Sequence, residues 1–355
     1  MLASLPTSPT GLEQLWFTLI AVLWLGYFFL EGFDFGVGIL LPFVARDDLD
    51  RRVAINTIGP VWDGNEVWLL TAGGATFAAF PLWYATAFSG FYLALFVVLA
   101  ALIFRGMAFE LRHRGEGARW RAWWDRAIFW GSAVPALLWG VAFADFVHGV
   151  PLAAGHAWTG TFFDLVKPYA LLGGVATLAL FTLHGATFLG LKADGPVRER
   201  ARAAAARLAP VAWVAVTGFL FWTYLSAHHT HHTGLVPPLL PIAGVVVLAG
   251  VGWLVHERLE GWAFVATALV VVALFSTILL DLYPNVLVSS VAPRFDLTIA
   301  EAASHPYTLE VMSWVALIFT PLVLAYQGWT YWVFRRRVGR PPEVPGATTR
   351  APSAH

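Results

Sequence analysis

Asn56-Thr-Ile-Gly-Pro-Val-Trp-Asp-Gly-Asn-Glu-Val-Trp-Leu-Leu-Thr-Ala-Gly-Gly-Ala75 is a mostly apolar stretch that holds Asp63, Asn65 and Glu66. Its length and composition predict a membrane-spanning helix. A charged side chain at the centre of an inserted helix costs roughly 2.5–3.5 kcal/mol, so such a residue faces the protein interior and usually has a function. The stretch therefore predicts a polytopic membrane protein with a polar interior.

The composition of the whole chain agrees with this class. Of its 355 residues, 58% are hydrophobic and only 12% are charged, whereas soluble domains have about 25% charged residues. The mean hydropathy is +0.68. The chain has no cysteine, which excludes disulfides, thiolate metal sites and cysteine catalysis. Its first ten residues lack Lys and Arg, so we expect no signal peptide.

Several apolar runs approach the ~20 residues that a spanning helix needs. The nine runs lie near 13–41, 54–80, 83–109, 125–147, 168–191, 209–227, 236–256, 262–283 and 309–334. Pro60 removes a helix hydrogen bond and predicts a kink in the second run.

Basic residues alternate between the loops. They cluster after the first, third, fifth, seventh and ninth runs, and the other loops hold only Lys167 and Arg294. Because Lys and Arg stay on the cytoplasmic side, this pattern predicts an outside N-terminus and a cytoplasmic C-terminus. The predicted fold is an all-α polytopic membrane protein with nine transmembrane helices.

An internal echo predicts a doubled architecture. Leu30-Glu-Gly-Phe-Asp-Phe35 resembles Leu183-His-Gly-Ala-Thr-Phe188, although three identities in six positions also fit chance. We interpret the echo as two four-helix bundles plus a ninth helix. The predicted units are 1–147 with the candidate acids, 148–283 as the second bundle, 284–335 as outer loop and ninth helix, and 336–355 as a disordered cytoplasmic tail.

Four carboxylates lie in the first two runs. Glu31 and Asp34 are three residues apart and share a helix face, as do Asp63 and Glu66. At ~1.5 Å per residue, Asp63 lies roughly 15 Å and Asp34 roughly 10 Å from the cytoplasmic ends of their helices. We expect all four to cluster in the cytoplasmic half, where neither helix offers a Lys or Arg. Since like charges at close range cannot all ionise, the cluster predicts a proton relay open to the cytoplasm.

The alternative is that the acids are neutral and make only structural hydrogen bonds between helices. Asn65 and Trp62 are expected to be structural polar residues of the core. Arg105 ends a long apolar run, and we interpret it as snorkelling to the cytoplasmic interface, with pairing to an acid as a variant.

The histidines argue against a heme held by this chain. Axial ligation in a bundle needs His or Met facing the core, and only His184 lies convincingly within a helix. Met107 and Met312 are expected to pack in the core. The run His228-His-Thr-His-His232 is expected in a solvated loop, with a surface metal as the alternative. We predict neither heme nor metal bound by this chain alone.

These residues resemble subunit II of the cytochrome bd-type quinol oxidases. The resemblance covers most of the first four helices and the ninth and is vaguer through 192–262. It is carried by Gly32–Gly38, Arg51–Asn56, Trp62–Trp68, Thr71–Gly74, Ala87–Tyr92, Arg119–Trp120, Trp124–Asp125, Gly140–Phe143, Gly149–Pro151 and Met312–Val315.

The resemblance implies a bundle of two four-helix units plus one helix in the bacterial cytoplasmic membrane. It implies a partner, subunit I, that carries heme b558, heme b595 and heme d. That complex oxidises ubiquinol or menaquinol at the outer face, reduces oxygen to water with cytoplasmic protons, and generates a proton motive force without pumping. Some relatives hold a quinone in this subunit as a structural lipid. The sequence places no site for it and leaves open a small single-helix accessory subunit.

The resemblance also implies residue roles. Asp63 matches the family's aspartate on the proton path, and Asp34 matches the acid of the Gly-Phe-Asp segment. Trp68 matches the tryptophan beside the oxygen route to heme d. Glu66 departs from the pattern, because glutamine is expected there in some relatives, so the exact proton path stays open.

Two other functions fit the residues. A stand-alone proton-coupled transporter would also have buried acids, broken helices and a doubled bundle, but it would work without a heme-bearing partner. A purely structural membrane scaffold would tolerate the replacement of each acid by its amide.

Overall fold

A computed structural model describes residues 8–115, 117–229 and 239–340 of the protein. They form a helical bundle with one small antiparallel sheet. The helices are α1 (Gly11–Val44), α2 (Asp48–Ile58), α3 (Trp62–Ala79), α4 (Pro81–Gly90), α5 (Tyr92–Leu111), α6 (Ala118–His148), α7 (Pro168–Lys192), α8 (Pro196–His229), α9 (Leu239–His256), α10 (Glu260–Leu282), α11 (Ile299–Ala302) and α12 (Pro306–Val333). The strands are β1 (Asn285–Leu287) and β2 (Leu297–Thr298).

Helix α1 lies at the centre of the bundle. Every residue from 30 to 41 is buried, with α3, α6, α7 and α10 packed around the helix. Gly36 of α1 meets Gly185 of α7 so closely that a Cβ on Gly36 would lie 2.7 Å from the Gly185 Cα. Phe33 and Phe188 stack with ring centroids 4.1 Å apart. The two echoed sequence segments therefore pack directly against each other.

Two of the predicted runs are divided. Residues 59–61 interrupt the helix between α2 and α3, which confirms the kink predicted at Pro60. Pro60 has no N–H to donate to the helix, so the break costs little there. Helices α4 and α5 divide at Phe91, within the predicted run 83–109.

Eight helices in the described parts of the chain are long and apolar enough to cross a membrane. They are α1, α5, α6, α7, α8, α9, α10 and α12. This confirms an all-α polytopic membrane protein. Helix α3 is not among the eight, so the nine spans and their orientation stay predictions.

The two longest predicted outer loops contact each other. The Val150 amide donates to the Val288 carbonyl at 2.9 Å, and the Ser289 hydroxyl donates to the Leu152 carbonyl at 2.7 Å. Three short 3-10 helices (Ala154–His156, Phe162–Leu165 and Pro293–Phe295) and the β1–β2 pair complete this cap. The loops thus cover one end of the bundle together, as expected if both lie on the same side of the membrane.

At the other end of the bundle, Asp50 connects three segments. Its carboxylate is buried and accepts hydrogen bonds from Arg200 at 2.5 Å and from Arg340 at 2.6 Å. Residues 336–340, which we predicted to begin a disordered tail, are instead tied to the bundle by this contact. The rest of the predicted tail, 341–355, lies outside the described residues.

We expect Asp50→Asn to lower the thermal unfolding midpoint near neutral pH. The expected loss is about 1–2 kcal/mol, the lower part of the range for charged hydrogen bonds, because both arginines are partly exposed. Burial alone would raise the pKa of Asp50, but hydrogen bonds from Arg340 and Arg200 outweigh it and hold the pKa below its ordinary value. The stabilisation is therefore complete above about pH 4 and is lost as the pH falls through the lower, folded pKa.

Unfolding midpoints of wild type and Asp50→Asn, measured from about pH 7 to pH 3, check this expectation. The difference between the two unfolding midpoints should be constant in the upper part of the range and should disappear below about pH 4. Asp194→Asn is a matched control, because Asp194 is exposed and lies 3.9 Å from Arg198. A difference that did not change with pH would contradict the ionic role of Asp50.

Candidate proton-transfer site

Two of the predicted acids lie inside the bundle. Glu31 and Asp34 of α1 are both 0% exposed. Glu31 forms an ion pair with Arg105 of α5. Asp34 accepts a hydrogen bond from the Asn65 amide of α3 at 2.7 Å. Neighbouring helices therefore hold the two acids in different ways, one with a charge and one with an amide.

Arg105 does not snorkel to the interface, so our main interpretation of it is wrong. Its side chain is fully buried, and the variant in which it pairs with an acid is confirmed. The guanidinium carbon lies 4.8 Å from the Phe35 ring centroid and 5.7 Å from that of Phe109. Gly131 of α6 leaves space for it, since a Cβ there would lie 2.6 Å from the Arg105 Cβ.

Asn65 connects three helices. Its Oδ1 accepts hydrogen bonds from the Tyr331 hydroxyl at 2.7 Å and the Gln327 amide at 3.3 Å, both on α12. Gln327 in turn accepts from the indole N–H of Trp68 at 2.8 Å. The Asn65 amide N–H bond to Asp34 extends the network to α1. A structural polar role for Asn65 agrees with these contacts.

We expect Asn65→Leu to destabilise the protein by about 3 kcal/mol, because it leaves both Asp34 and Tyr331 without a partner and each unmade buried hydrogen bond costs about 1–3 kcal/mol. Tyr331→Phe removes one bond and leaves the Asn65 oxygen with Gln327, so it should cost about 1 kcal/mol. Thermal unfolding of both variants measures the difference. Equal losses would contradict a hub at Asn65.

The other two acids lie at the edge of the site. Asp63 is exposed on α3, and Glu66 is half-buried. The Glu66 Oε2 atom is buried without a hydrogen-bond partner among the described residues. Glu66 interacts electrostatically with both Arg105 and Asp63. The predicted cluster of four acids is therefore spread from the surface to the core.

The two tryptophans that flank these acids pack in different places. Trp62 lies against Phe109 with ring centroids 5.0 Å apart. Trp68 lies against Gly26 of α1, where a Cβ would overlap the indole ring. Trp68 thus sits where α1, α3 and α12 meet. Its role beside an oxygen route stays a prediction.

The contacts of His184 do not fit a role as an axial heme ligand. Its Nδ1 lies 2.7 Å from the Thr267 hydroxyl and its Nε2 lies 3.2 Å from the Phe29 carbonyl, so both ring nitrogens have protein partners. Met107 is 42% exposed and does not pack in the core as expected. Across 8–115, 117–229 and 239–340, no group of three His, Asp or Glu side chains could hold a metal ion. The histidines of 230–238 lie outside the described residues, and 227–229 are described by backbone alone.

Three polar residues of the site were not selected from the sequence as members of it. They are Arg105, Gln327 and Tyr331. An arginine within an apolar run was a usable signal for the first. The four-residue spacing of Gln327 and Tyr331 places them on one face of α12 and was a signal for the other two.

A bundle of apolar helices around a buried carboxylate–arginine pair is typical of membrane proteins that move protons or other charges. The chain matches the family model of cytochrome bd terminal oxidase subunit II over residues 12–334. The chain belongs to this family, as the resemblance in its sequence predicted.

Individual relatives agree over nearly the full length. The chain is 43% identical to cytochrome bd ubiquinol oxidase subunit 2 of Bacillus subtilis (strain 168), over 92% of this chain and 97% of the relative. It is 37% identical to cytochrome bd-I ubiquinol oxidase subunit 2 of Escherichia coli (strain K12), over 92% and 95%. A chain in the structure of bd oxidase from Geobacillus thermodenitrificans has the same fold, with a TM-score of 0.75, 17% identity, and coverage of 92% of this chain and 99% of that one.

Proposed function

We propose that this chain is the heme-free subunit II of a quinol:oxygen oxidoreductase in the respiratory chain. It supports a heme-bearing subunit I and helps to deliver cytoplasmic protons, and oxygen, to heme d in that partner, where oxygen is reduced to water. Consumption of protons from one side of the membrane generates a proton motive force without pumping. The family match and the names of the relatives support assembly into such a complex.

The observation that carries the proton role is the order of the acids from surface to core. Asp63 is exposed, Glu66 is half-buried and interacts with Arg105, and Glu31 is fully buried against Arg105. A proton that enters at Asp63 therefore meets groups of increasing burial. Asp34, held by Asn65, lies on the same face of α1 as Glu31 and completes the proposed path.

The exposed position of Asp63 also supports a partner at α3. A carboxylate that faces lipid is costly, so we propose that subunit I covers this surface. Large apolar side chains along α3, α5 and α12 are also exposed, among them Leu70 at 70%, Phe96 at 66% and Trp314 at 67%. In the same proposal, Trp68 forms a wall of the oxygen route toward that partner.

The proposed membrane arrangement has nine crossings, with α2–α3 as the second and α4–α5 as the third. The arginine-rich end around Asp50 faces the cytoplasm, and the cap formed by the two long loops faces outward. The proposed units stay 1–147, 148–283 and 284–335, in the bacterial cytoplasmic membrane. A quinone bound as a structural lipid and a small single-helix subunit would be additions to this assembly.

Co-expression with the heme-bearing subunit of the same operon or strain tests the proposal. The two chains should elute together with heme d absorption, whereas this chain purified alone should show no heme spectrum. A stand-alone transporter would instead be pure and active in vesicles without any heme-bearing chain. Failure to co-elute with the heme-bearing subunit would overturn the proposed assembly.

A further inference from the structure

A cavity of about 440 Å³ lies between the ends of α1, α7, α10 and α12. This volume is in the range of small-molecule sites, roughly 300–1,000 Å³. Its walls are mainly apolar, with Phe29 and Phe33 from α1, Phe188 from α7 and Phe264 from α10. A site of this kind takes a hydrocarbon group rather than a polar metabolite.

The mouth of the cavity is basic. Lys192, Arg335 and Arg337 line it. Lys192 donates to the Phe334 and Arg336 carbonyls, and Arg337 donates to the Leu191 carbonyl at 3.1 Å. These bonds hold Lys192 and Arg337 at the junction of α7 and the end of α12, and Arg335 donates to the Trp332 carbonyl at 2.7 Å.

No carboxylate in the described part of the chain lies within ion-pair distance of these three cations. Other arginines at the same end of the bundle differ, because Arg112 and Arg200 have acidic partners. An apolar chamber with an unpaired cationic mouth is complementary to an amphiphile with a negative headgroup.

We propose that this cavity binds an acyl chain of an anionic phospholipid, whose phosphate contacts Lys192, Arg335 and Arg337. The lipid would come from the leaflet on the arginine-rich side of the bundle. Its acyl chain would fill the space between α12 and the rest of the bundle. Helix α12 packs only loosely on the bundle, because Leu309 is its single fully buried residue. The acyl chain would also touch Tyr331, whose hydroxyl donates to Asn65.

Native mass spectrometry of the complete complex in detergent tests the site. The complex is titrated with phosphatidylglycerol and, separately, with phosphatidylcholine that has the same acyl chains. We expect wild type to bind phosphatidylglycerol more tightly. The double variant Arg335→Gln/Arg337→Gln should weaken phosphatidylglycerol binding about 30-fold, the value for two lost basic residues near a lipid surface, and leave phosphatidylcholine binding unchanged.

The matched control is Arg114→Gln/Arg119→Gln, which removes two exposed charges from the α5–α6 connection and the start of α6; neither residue lines the cavity. It should keep the selectivity of wild type. Arg335→Lys/Arg337→Lys should also keep it, which separates charge from folding. Leu191→Trp should fill the cavity and reduce binding of the lipid with all charges present.

Three results would overturn the proposal. One is equal affinity of wild type for the two lipids, which would indicate an uncharged amphiphile in the cavity. Another is unchanged phosphatidylglycerol binding in the glutamine double variant. The last is an equal loss in the Arg114/Arg119 control, which would indicate a general effect of surface charge.

Discussion

Glu31→Gln should lower the free energy of unfolding by about 3–5 kcal/mol, because it leaves the Arg105 guanidinium buried without its partner. The arginine cannot lose its proton to escape this cost, and its side chain is 0% exposed. Arg105→Gln should cost less, since the Glu31 carboxyl can become neutral by taking up a proton. Thermal unfolding of the purified complex, with matched expression levels, measures both effects.

The double variant Glu31→Gln/Arg105→Gln is the decisive control. It removes both charges and places two amides of similar size in the same space, so most of the lost stability should return. Its oxidase turnover should stay low if Glu31 carries protons, because an amide cannot exchange them at this position. Single variants as stable as wild type would contradict a buried ion pair.

The Glu31–Arg105 pair changes the charge argument drawn from the sequence. Four acids without a nearby cation would have to share protons. Arg105 compensates one negative charge, so the need to stay neutral falls mainly on Asp34, whose Oδ1 is buried without a hydrogen-bond partner among the described residues. Glu66 is half-buried and near both charges. The order of the acids along the proposed proton path therefore follows their increasing burial, and not only the repulsion between their charges.

The apolar runs predicted the helices, and the free-energy cost of burying a charge in the membrane marked the acids as residues of the interior. Neither predicted which helix contacts which acid. The break at Pro60 and the shared face of Glu31 and Asp34 follow from local geometry, so the sequence was sufficient for them. Arg105 was misassigned because an arginine near the end of an apolar run can also reach the interface. Tertiary contacts direct it inward: the ion pair with Glu31 and the packing of α5 against α6 at Gly131.

Helix α12, the predicted ninth span, also makes contacts that the sequence did not predict. Gln327 and Tyr331 lie far from Asn65 in sequence, and an apolar helix with two polar residues is also compatible with a face turned to lipid or to a partner. The hydrogen bonds of α12 to Asn65 and Trp68 are contacts over more than 250 positions. No local pattern defines such pairs, and the three-dimensional arrangement was needed to find them.

Asp63→Asn should reduce the oxidase turnover of the assembled complex about a hundredfold, the lower part of the effect of a positioned proton-transfer group. Asp63 is the exposed first acid of the proposed path, and an amide cannot accept and release a proton there. Heme content and the unfolding midpoint should stay those of wild type, because the exposed Asp63 side chain has no ion-pair partner in the described part of the chain. Oxygen consumption with excess quinol measures the turnover.

Two further variants separate proton transfer from a structural effect. Asp63→Glu keeps an exchangeable proton and should restore most of the turnover. Glu110→Gln removes an exposed carboxylate from the end of α5 that is not part of the proposed path, and should leave turnover unchanged. Asn has nearly the shape of Asp and lacks its exchangeable proton. Normal turnover in Asp63→Asn with intact heme would therefore exclude proton entry at this residue and leave α3 a structural helix.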